Sequence, residues 1–453
     1  MHYQTHFEKI PTLTQAGLAP LGRQPRVFMH RAGAKDMTST RLCARAGALV
    51  MGALLMVGLT LTLGGVEGAE IGPEADLCAA LEGLQPGEEL TLRAGDYRAG
   101  CVIRRGGTPG APVVIRSAEP DQPARLVHPG GDINVLNIRA SDVIVRGLHF
   151  GPTASDIDGV RIISGHRITV EDCRFTRMGG IAVVANHTSV RNLTVRRNQI
   201  RDSGTTAMYF GCHDGLACSV TGLIIEGNHI RGVTAPSPQV GYGLQVKLNS
   251  AAIIRDNVIL ETKGPGIMVY GSSDLITMSL VERNFVSGSR TSSGIVVGGG
   301  PVVIRNNISG WNVEAGVGLA NYARRGLLRA IVVVHNSVYA NQQGGIMAPE
   351  QGPVEATIHN NAIHARAGTP PLPAERPGLR MIGNVDCSWA PCFANADALD
   401  FSPFPGSILV GRGLARAEAL VPGDDFFGAR RGAPATIGAV DQPKGAVRLG
   451  IKP

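Results

Sequence analysis

The sequence is poor in aromatic residues and in charge. Aromatic residues make up 4% of the 453 residues, and charged residues make up 17%. A core with so few rings must be built from Val, Ile and Leu, and the 60 glycines indicate many tight turns. Apolar residues reach 43%, which excludes a disordered chain, and the absence of a strict Gly-X-Y period excludes collagen.

Long amphipathic helices are also missing. Between residues 130 and 365 no stretch keeps a 3.6-residue apolar period. Short segments alternate with period 2 instead, and Gly, Asn and Asp break them, which is the pattern of β-strands.

The positive charge is concentrated at the N-terminus. Residues 1–69 carry seven basic and three acidic residues, which is +4 of the formal +7 and leaves +3 for the rest. The body is nearly neutral and has no Lys/Arg stripe interleaved with aromatics, so we expect no nucleic-acid partner.

Residues 46–66 form an uncharged apolar stretch that follows Arg41 and Arg45. This is the pattern of a secretory signal peptide, and the run is also long enough for a membrane anchor. Met37 would be a more usual start, so residues 1–36 are interpreted as an over-extended gene model. We expect a secreted or periplasmic protein, anchored to the membrane only if the leader is retained.

The cysteines agree with export, because exported proteins can keep disulfides. Cys43 lies in the leader. The predicted bridges are Cys78 with Cys101, Cys212 with Cys218, and Cys387 with Cys392. A zinc site at Cys212 and Cys218 is less favoured, because five residues separate them and no His partners follow at metal spacing.

A repeat decides the fold. The phrase apolar-x-x-Asn-x-apolar recurs every 23 to 30 residues, at Asn198, Asn228, Asn257, Asn284, Asn307, Asn336 and Asn361. Leu148 and Cys173 occupy the same slot in two earlier copies, where we expect them to be buried. A second short strand, such as GLQVK from Gly243, lies between successive phrases.

These repeats predict an all-β, single-stranded, right-handed parallel β-helix of about ten coils, in which each strand pairs with its equivalent one coil away. The Asn column would form a ladder of amide hydrogen bonds. We assign residues 70–129 to an N-terminal cap and first coil, 130–367 to the repeats, and 368–453 to coil remnants and an irregular tail.

The period, the Asn column, the opening GTPGAPVVIR and the closing FFGARRG and IGAVD resemble the right-handed parallel β-helix superfamily of pectate-lyase type. The resemblance covers roughly residues 70–443. It implies the fold strongly and the activity weakly, because that superfamily includes lyases, hydrolases, epimerases and non-catalytic binders.

Candidate site residues follow from strand alternation. In the Gly-initiated strands, the second and fourth residues after Gly should point outward, away from the core. Reactive side chains concentrate on three adjacent coils, and the loop GCHDGLAC adds two more. The candidates are Tyr209, Gln245, Lys247 and Tyr270 on the strands, His213 and Asp214 in the loop, and Arg161 on an earlier coil.

This set suits β-elimination or C5 epimerisation of a uronic acid. A cation neutralises the carboxylate, a base removes the C5 proton, and an acid protonates the leaving oxygen. Lys247 and Tyr270 could supply cation and base, or His213 could be the base with Asp214 orienting it. Tyr209, Asp214, Gln245 and Arg161 are predicted to bind substrate, an acidic polysaccharide.

The segment GLQVKLNSAAIIRDN also resembles the lyase motif of polysaccharide lyase family 6, in which Lys247 matches the catalytic base and Arg255 and Asn257 match the trailing phrase. Two positions depart from the family. Gln245 replaces its calcium-binding carboxylate, and Val269–Tyr270 stand where its catalytic Arg would be. Calcium is therefore possible but unsupported by a carboxylate cluster, and no metal ligand is predicted.

Two alternatives remain open. The same surface could bind carbohydrate without turnover, as a binding or structural protein. A hydrolase comes third, because it needs paired carboxylates and the outward columns contain none. We expect a monomer.

Thiol mapping tests the export interpretation. Alkylation of the exported protein before reduction, followed by mass spectrometry, should find Cys78, Cys101, Cys212 and Cys218 oxidised. Cys173 is the internal control, since it should react only after unfolding. Alkylated thiols at the four paired positions would contradict the prediction.

Overall fold

The computed structural model describes residues 68–128, 130–321, 326–415 and 422–449. The predicted leader at 46–66 and the segment 1–36 lie outside these residues. In the described ranges, no helix is long and apolar enough to cross a membrane.

The described chain forms a right-handed parallel β-helix, as the repeat predicted. Three parallel sheets run along it, and a complete coil contributes one strand to sheet A, then to sheet B, then to sheet C. The first coil has only a sheet A strand, and the last two coils have no sheet C strand. The coil number was underestimated: sheet A stacks 13 successive strands, not about ten. Three coils before Leu148 and one after Asn361 lack the full Asn phrase, so the recurrence alone did not count them.

The strands of each sheet stack in chain order. Sheet A comprises Ala69–Ile71, Glu89–Leu92, Val113–Ser117, Val143–Arg146, His166–Glu171, Val190–Arg196, Leu223–Glu226, Ala252–Arg255, Ser279–Glu282, Val302–Arg305, Ile331–Val334, Ala356–His359 and Leu379–Ile382, and Val220–Thr221 also pairs with Val190–Arg196. Sheet B comprises Asp96–Arg98, Arg125–Val127, His149–Phe150, Arg174–Thr176, Gln199–Ser203, His229–Val233, Val258–Thr262, Phe285–Ser287, Ile308–Gly310, Ser337–Tyr339, Ala362–His364 and Val385–Asp386. Sheet C comprises Cys101–Ile103, Leu136–Ile138, Val160–Ile162, Val183–Ala185, Met208–Phe210, Leu244–Val246, Ile267–Val269, Ile295–Val297, Ala315–Leu319 and Gly344–Met347.

The predicted asparagine ladder is present at the turn from sheet A to sheet B. Each Asn amide donates to the next, as in Asn228 Nδ2 to Asn257 Oδ1 at 2.9 Å and Asn257 Nδ2 to Asn284 Oδ1 at 2.9 Å. The same oxygens accept backbone N–H groups, for example from Asn228 to Asn257 at 3.0 Å. The ladder continues one coil further than predicted, because Asn361 donates to Asn384.

The two exceptions in the ladder are buried, as expected. Leu148 and Cys173 are both fully buried, and the backbone N–H of Cys173 donates to Asn198 Oδ1 at 3.0 Å. Burial raises the pKa of the Cys173 thiol to about 12, so this residue is not a reactive thiolate.

The residue before each ladder position has a left-handed backbone, which makes the turn sharp enough to join the two sheets. Glycine tolerates this conformation, and Asn and Asp tolerate it better than most other residues. The residues concerned are Gly147, Asp172, Arg197, Gly227, Asp256, Arg283, Asn306, His335, Asn360 and Gly383.

The N-terminal end of the coil stack is covered. Helix Leu77–Gly83 closes it with Leu77 and Leu81 buried, and the Asp76 side chain caps the helix by accepting from Ala79 N at 3.1 Å. In the C-terminal tail a 3-10 helix, Ala396–Ala398, lies between the antiparallel strands Phe393–Asn395 and Asp400–Pro403. Aliphatic side chains fill the interior, as the composition predicted.

All three predicted disulfides are formed: Cys78–Cys101, Cys212–Cys218 and Cys387–Cys392. The first joins the cap helix to sheet C. The other two close short loops. Three such bridges are typical of proteins that mature in an oxidising compartment.

The C-terminal tail returns along the outer face of sheet B. Phe401, Val440 and Val447 pack with Phe285 and Ile308 of that sheet in a second apolar cluster. The guanidinium of Arg431 is buried and donates to Asn306 Oδ1 at 2.6 Å and to the carbonyls of Gly438 and Ala439. The tail is thus fastened to the turns of the coil by buried polar contacts.

The ladder should be a large contributor to stability. The Asn257→Ala change removes three ladder bonds from an interior without water. The backbone N–H and the side-chain amide of Asn228 lose their acceptor, Asn257 Oδ1, and Asn284 Oδ1 loses the amide donor of Asn257. We expect a loss of about 3 kcal/mol in the free energy of unfolding, measured by urea denaturation. Cys173→Ala, at the same slot with no amide to lose, is the matched control and should cost less. Equal losses for the two variants would contradict the ladder's energetic role.

Acid should weaken the fold through His335. Burial, and then the charge of Arg431, lower the pKa of His335 to about 3, while an unfolded histidine titrates near 6.5. The unfolded chain therefore binds the proton first, and stability should fall as pH drops from about 6.5 towards 3. Urea unfolding across this range should show a shallower pH slope for His335→Gln than for the natural protein. His187→Gln, at an exposed histidine, should keep the natural slope.

Candidate active site on the outer face of sheet C

The strand alternation predicted for sheet C is present. Leu244, Val246, Ile267 and Val269 point into the main core. The intervening residues face outward and form a register column across the coils. That column runs Asn137, Arg161, Val184, Tyr209, Gln245, Met268 and Val296.

The outward face is covered rather than exposed, which corrects one expectation. Only 4% of Gln245, 2% of Lys247 and 6% of Tyr270 is accessible to solvent. Met268, Tyr270 and Val296 form a small apolar cluster of their own with Leu248, separate from the main core. Strand alternation predicts which way a side chain points, but it cannot predict whether the face it points to is exposed.

Lys247 lies between two tyrosine rings. Its Nζ is 4.0 Å from the ring centroid of Tyr270 and 5.5 Å from that of Tyr209. An ammonium over an aromatic face is attracted by the ring quadrupole, more strongly where water is excluded. The structure thus brings together the cation and the phenol that the sequence had paired.

Glycines flank this pair. Gly211 lies beside Lys247, where an added Cβ would come within 3.0 Å of the Lys247 Cβ. Gly298 lies beside Tyr270, where an added Cβ would come within 3.4 Å of the Tyr270 Cα. Larger residues would crowd the lysine and the tyrosine from both sides.

Tyr242 is a site residue that the sequence analysis missed. Its hydroxyl lies 3.3 Å from the hydroxyl of Tyr270. It immediately precedes Gly243, whereas the search for outward residues considered only positions after the glycine of each strand. A tyrosine bordering the strand that carries Gln245 and Lys247 could have indicated it.

His213 and Asp214 lie in the disulfide-closed loop and are exposed. Asp214 Oδ1 accepts the backbone N–H groups of Leu216 at 2.9 Å and Ala217 at 3.2 Å. The carboxylate therefore shapes its own loop. Neither of these two bonds involves His213, so they give no support to the prediction that Asp214 orients the His213 ring.

Arg161 belongs to the same column but lies two coils before Tyr209, about 10 Å away at the usual strand spacing. It donates to Asp158 Oδ2 at 2.8 Å and to Asn186 Oδ1 at 2.8 Å. Burial raises the pKa of Asp158, and the Arg161 charge opposes that rise. Arg161 is thus held rigidly on the outward face, apart from the lysine and tyrosines.

An open cavity lies at the turns that follow sheet C. It has a volume of about 560 Å³ and is lined by Gly326, Leu327, Arg329, Pro349 and Gln351 among others. A Cβ added at Gly326 would meet the Tyr270 carbonyl oxygen, so the cavity is near the backbone of that residue. Its lining residues include neither Lys247 nor Tyr270.

Among the residues that the structure describes, no group of three or more His, Cys, Asp or Glu side chains could hold a metal ion. Gln245, which the sequence resemblance aligned with the calcium-binding carboxylate of the family 6 lyases, has no carboxylate to offer a metal ion. It is buried next to Tyr209 in the register of the sheet.

Comparisons with known proteins concern the fold. A family model described as a right handed beta helix region matches residues 214–369. No curated protein matches the sequence. The structure of XylC in complex with xylose is similar at a TM-score of 0.56, with 9% identity, 81% of this chain covered and 96% of that chain.

The structures of a pectate lyase and of a mannuronan C-5 epimerase module are less similar to this chain than that of XylC. Pectate lyase Pel9A has a TM-score of 0.48 and 13% identity, with 83% of this chain covered and 98% of that chain. The A-module of mannuronan C-5 epimerase AlgE4 from Azotobacter vinelandii has a TM-score of 0.47 and 15% identity, with 68% and 88% covered. The family model and the three stacked parallel sheets show that the chain is a right-handed parallel β-helix protein, so the resemblance drawn from its repeats is confirmed at the level of fold.

Proposed function

We propose that this protein is exported and acts on a uronic-acid-containing polysaccharide, by β-elimination or by C5 epimerisation, on the outer face of sheet C. The observation that carries the proposal is the position of Lys247 Nζ, 4.0 Å from the Tyr270 ring on that face. The three disulfides and the predicted leader support a secreted or periplasmic location.

The chemistry needs three groups. The ammonium of Lys247 would neutralise the uronate carboxylate, which makes the C5 proton acidic. The Tyr270 oxygen, as the phenolate, would accept that proton, and Tyr242, 3.3 Å away, would exchange protons with it. In elimination the C4–O bond then breaks, a C4–C5 double bond forms, and the proton taken by Tyr270 passes to the leaving oxygen, directly or through Tyr242. In epimerisation Tyr270 keeps the proton it took, and a different acid delivers another proton to C5 from the opposite face.

His213 remains the other candidate base. The tyrosines are favoured because they lie beside the lysine, whereas His213 is in an exposed loop whose carboxylate binds backbone N–H groups. Arg161 and Tyr209 would hold neighbouring sugars of the polymer along the column. Because Lys247 is only 2% exposed, turnover requires the structure around it to open for substrate.

The same burial favours a second candidate function. A lysine enclosed by tyrosine rings can be a packed structural element. The protein would then be a binding or structural β-helix that contacts carbohydrate without converting it.

Turnover assays should separate these functions. The purified protein is incubated with alginate, pectate, glucuronan and chondroitin. New ultraviolet absorbance reports the unsaturated product of elimination, and exchange of the C5 proton without new chain ends reports epimerisation. We expect one of these signals, and Lys247→Met should reduce it by about 10²–10⁴-fold.

The variants are chosen to keep the fold. Met at position 247 retains an apolar stem in a buried site, and Tyr270→Phe keeps the ring and removes only the hydroxyl. Both should lower kcat more than binding of oligosaccharide. Lys263→Met removes another ammonium, one that donates to Gln239 O at 2.6 Å, and should leave turnover unchanged. A natural protein that binds but gives neither signal would establish the non-catalytic alternative.

A further inference from the structure

An exposed tryptophan lies near the C-terminal end of the coil. Trp389 is 89% accessible to solvent and is one of only two tryptophans in the chain. The other, Trp311, packs edge-on against Tyr339 and Phe401. Leaving an indole in water gains nothing for folding, so packing does not account for Trp389.

Trp389 is nonetheless held in place. Its Nε1 donates to Asp386 Oδ2 at 3.1 Å, and Asp386 Oδ1 accepts the backbone N–H of Ser388 at 2.9 Å. The disulfide Cys387–Cys392 closes the loop that carries the ring, and both of its cysteines are buried. A ring ordered in advance loses little entropy when it binds a ligand.

Next to this ring is a pocket of about 360 Å³, the Trp389 pocket, which is lined by Trp389, Tyr339, His364 and Phe393 among others. Tyr339 stacks on His364 with ring centroids 4.8 Å apart and donates its hydroxyl to Asp397 Oδ1 at 3.0 Å. Aromatic walls with a few fixed polar groups are typical of small-molecule sites.

The charge at the pocket selects among ligands. The carboxylates of Asp386 and Asp397 lie at its edges, and none of its lining residues is a lysine or an arginine. A uronate would be repelled there. A neutral sugar offers hydroxyl donors to the carboxylate oxygens and a C–H face to the indole.

We propose that the Trp389 pocket binds a neutral pyranose ring, with the indole of Trp389 against the sugar face and with Asp386 and Asp397 accepting its hydroxyl groups. Tyr339 and His364 belong to strands of sheet B, so this site is separate from the Lys247 and Tyr270 pair on sheet C. It does not depend on the function proposed for that pair.

Ligand-detected saturation-transfer NMR tests the pocket with xylohexaose and cellohexaose as neutral probes and hexagalacturonate as the acidic probe. The natural protein should bind at least one neutral probe saturably. Trp389→Ala should weaken that binding by about tenfold, and Trp389→Phe, which keeps a ring, by less. Neither change should alter the melting temperature, because the side chain is exposed.

The control variant is Phe427→Ala, which removes an exposed aromatic ring outside the pocket. It should bind the neutral probe as the natural protein does. Unchanged binding in Trp389→Ala, no saturation with either neutral probe, or tighter binding of hexagalacturonate at Trp389 would each overturn the proposal. Self-association in sedimentation would also overturn it, if Trp389→Ala abolished the association and the neutral probes did not compete with it. Trp389 would then contact a second copy of the chain.

Discussion

The backbone N–H and C=O groups of every coil need hydrogen-bond partners in the coils above and below. This need is hardest to meet at the tight turns between sheets. The asparagine ladder solves the problem at the turn from sheet A to sheet B. Each amide oxygen accepts a backbone N–H and an amide N–H from the coil before, while each amide nitrogen donates to the next coil. The left-handed residue that precedes each Asn turns the chain, and the parallel register of all three sheets follows from repeating this turn.

The charged residues near that turn obey the same register. Sheet A presents a column in which Glu171, Arg196, Glu226, Arg255, Glu282 and Arg305 alternate in sign from coil to coil. Glu171 is 1% exposed and accepts from Arg146 and Arg196, both at 2.6 Å. Equal charges stacked one strand apart would repel, so alternation suits an in-register stack. Surface charge on this sheet serves the solenoid more than any ligand.

Sheet C carries the candidate active site. Lys247 and Tyr270 lie on its outward side, yet only 2% and 6% of these side chains are accessible to solvent. The attraction between ammonium and ring is stronger in such a site than in water. Sheet B departs from the regular repeat. The C-terminal tail covers part of its outer face, while Trp389 stays exposed beside that face.

The sequence by itself determined the coil, because a ladder residue, its glycine-initiated strand and their period are local patterns that recur. It also determined which side chains of sheet C face away from the core, since alternation along a strand depends only on backbone geometry. It missed Tyr242 and Asn384, and it underestimated the number of coils whose turns lack the repeated phrase. The burial of Lys247 and the position of Trp389 beside Tyr339 were decided only by tertiary structure. Both depend on contacts between residues far apart in the chain, which no local pattern encodes.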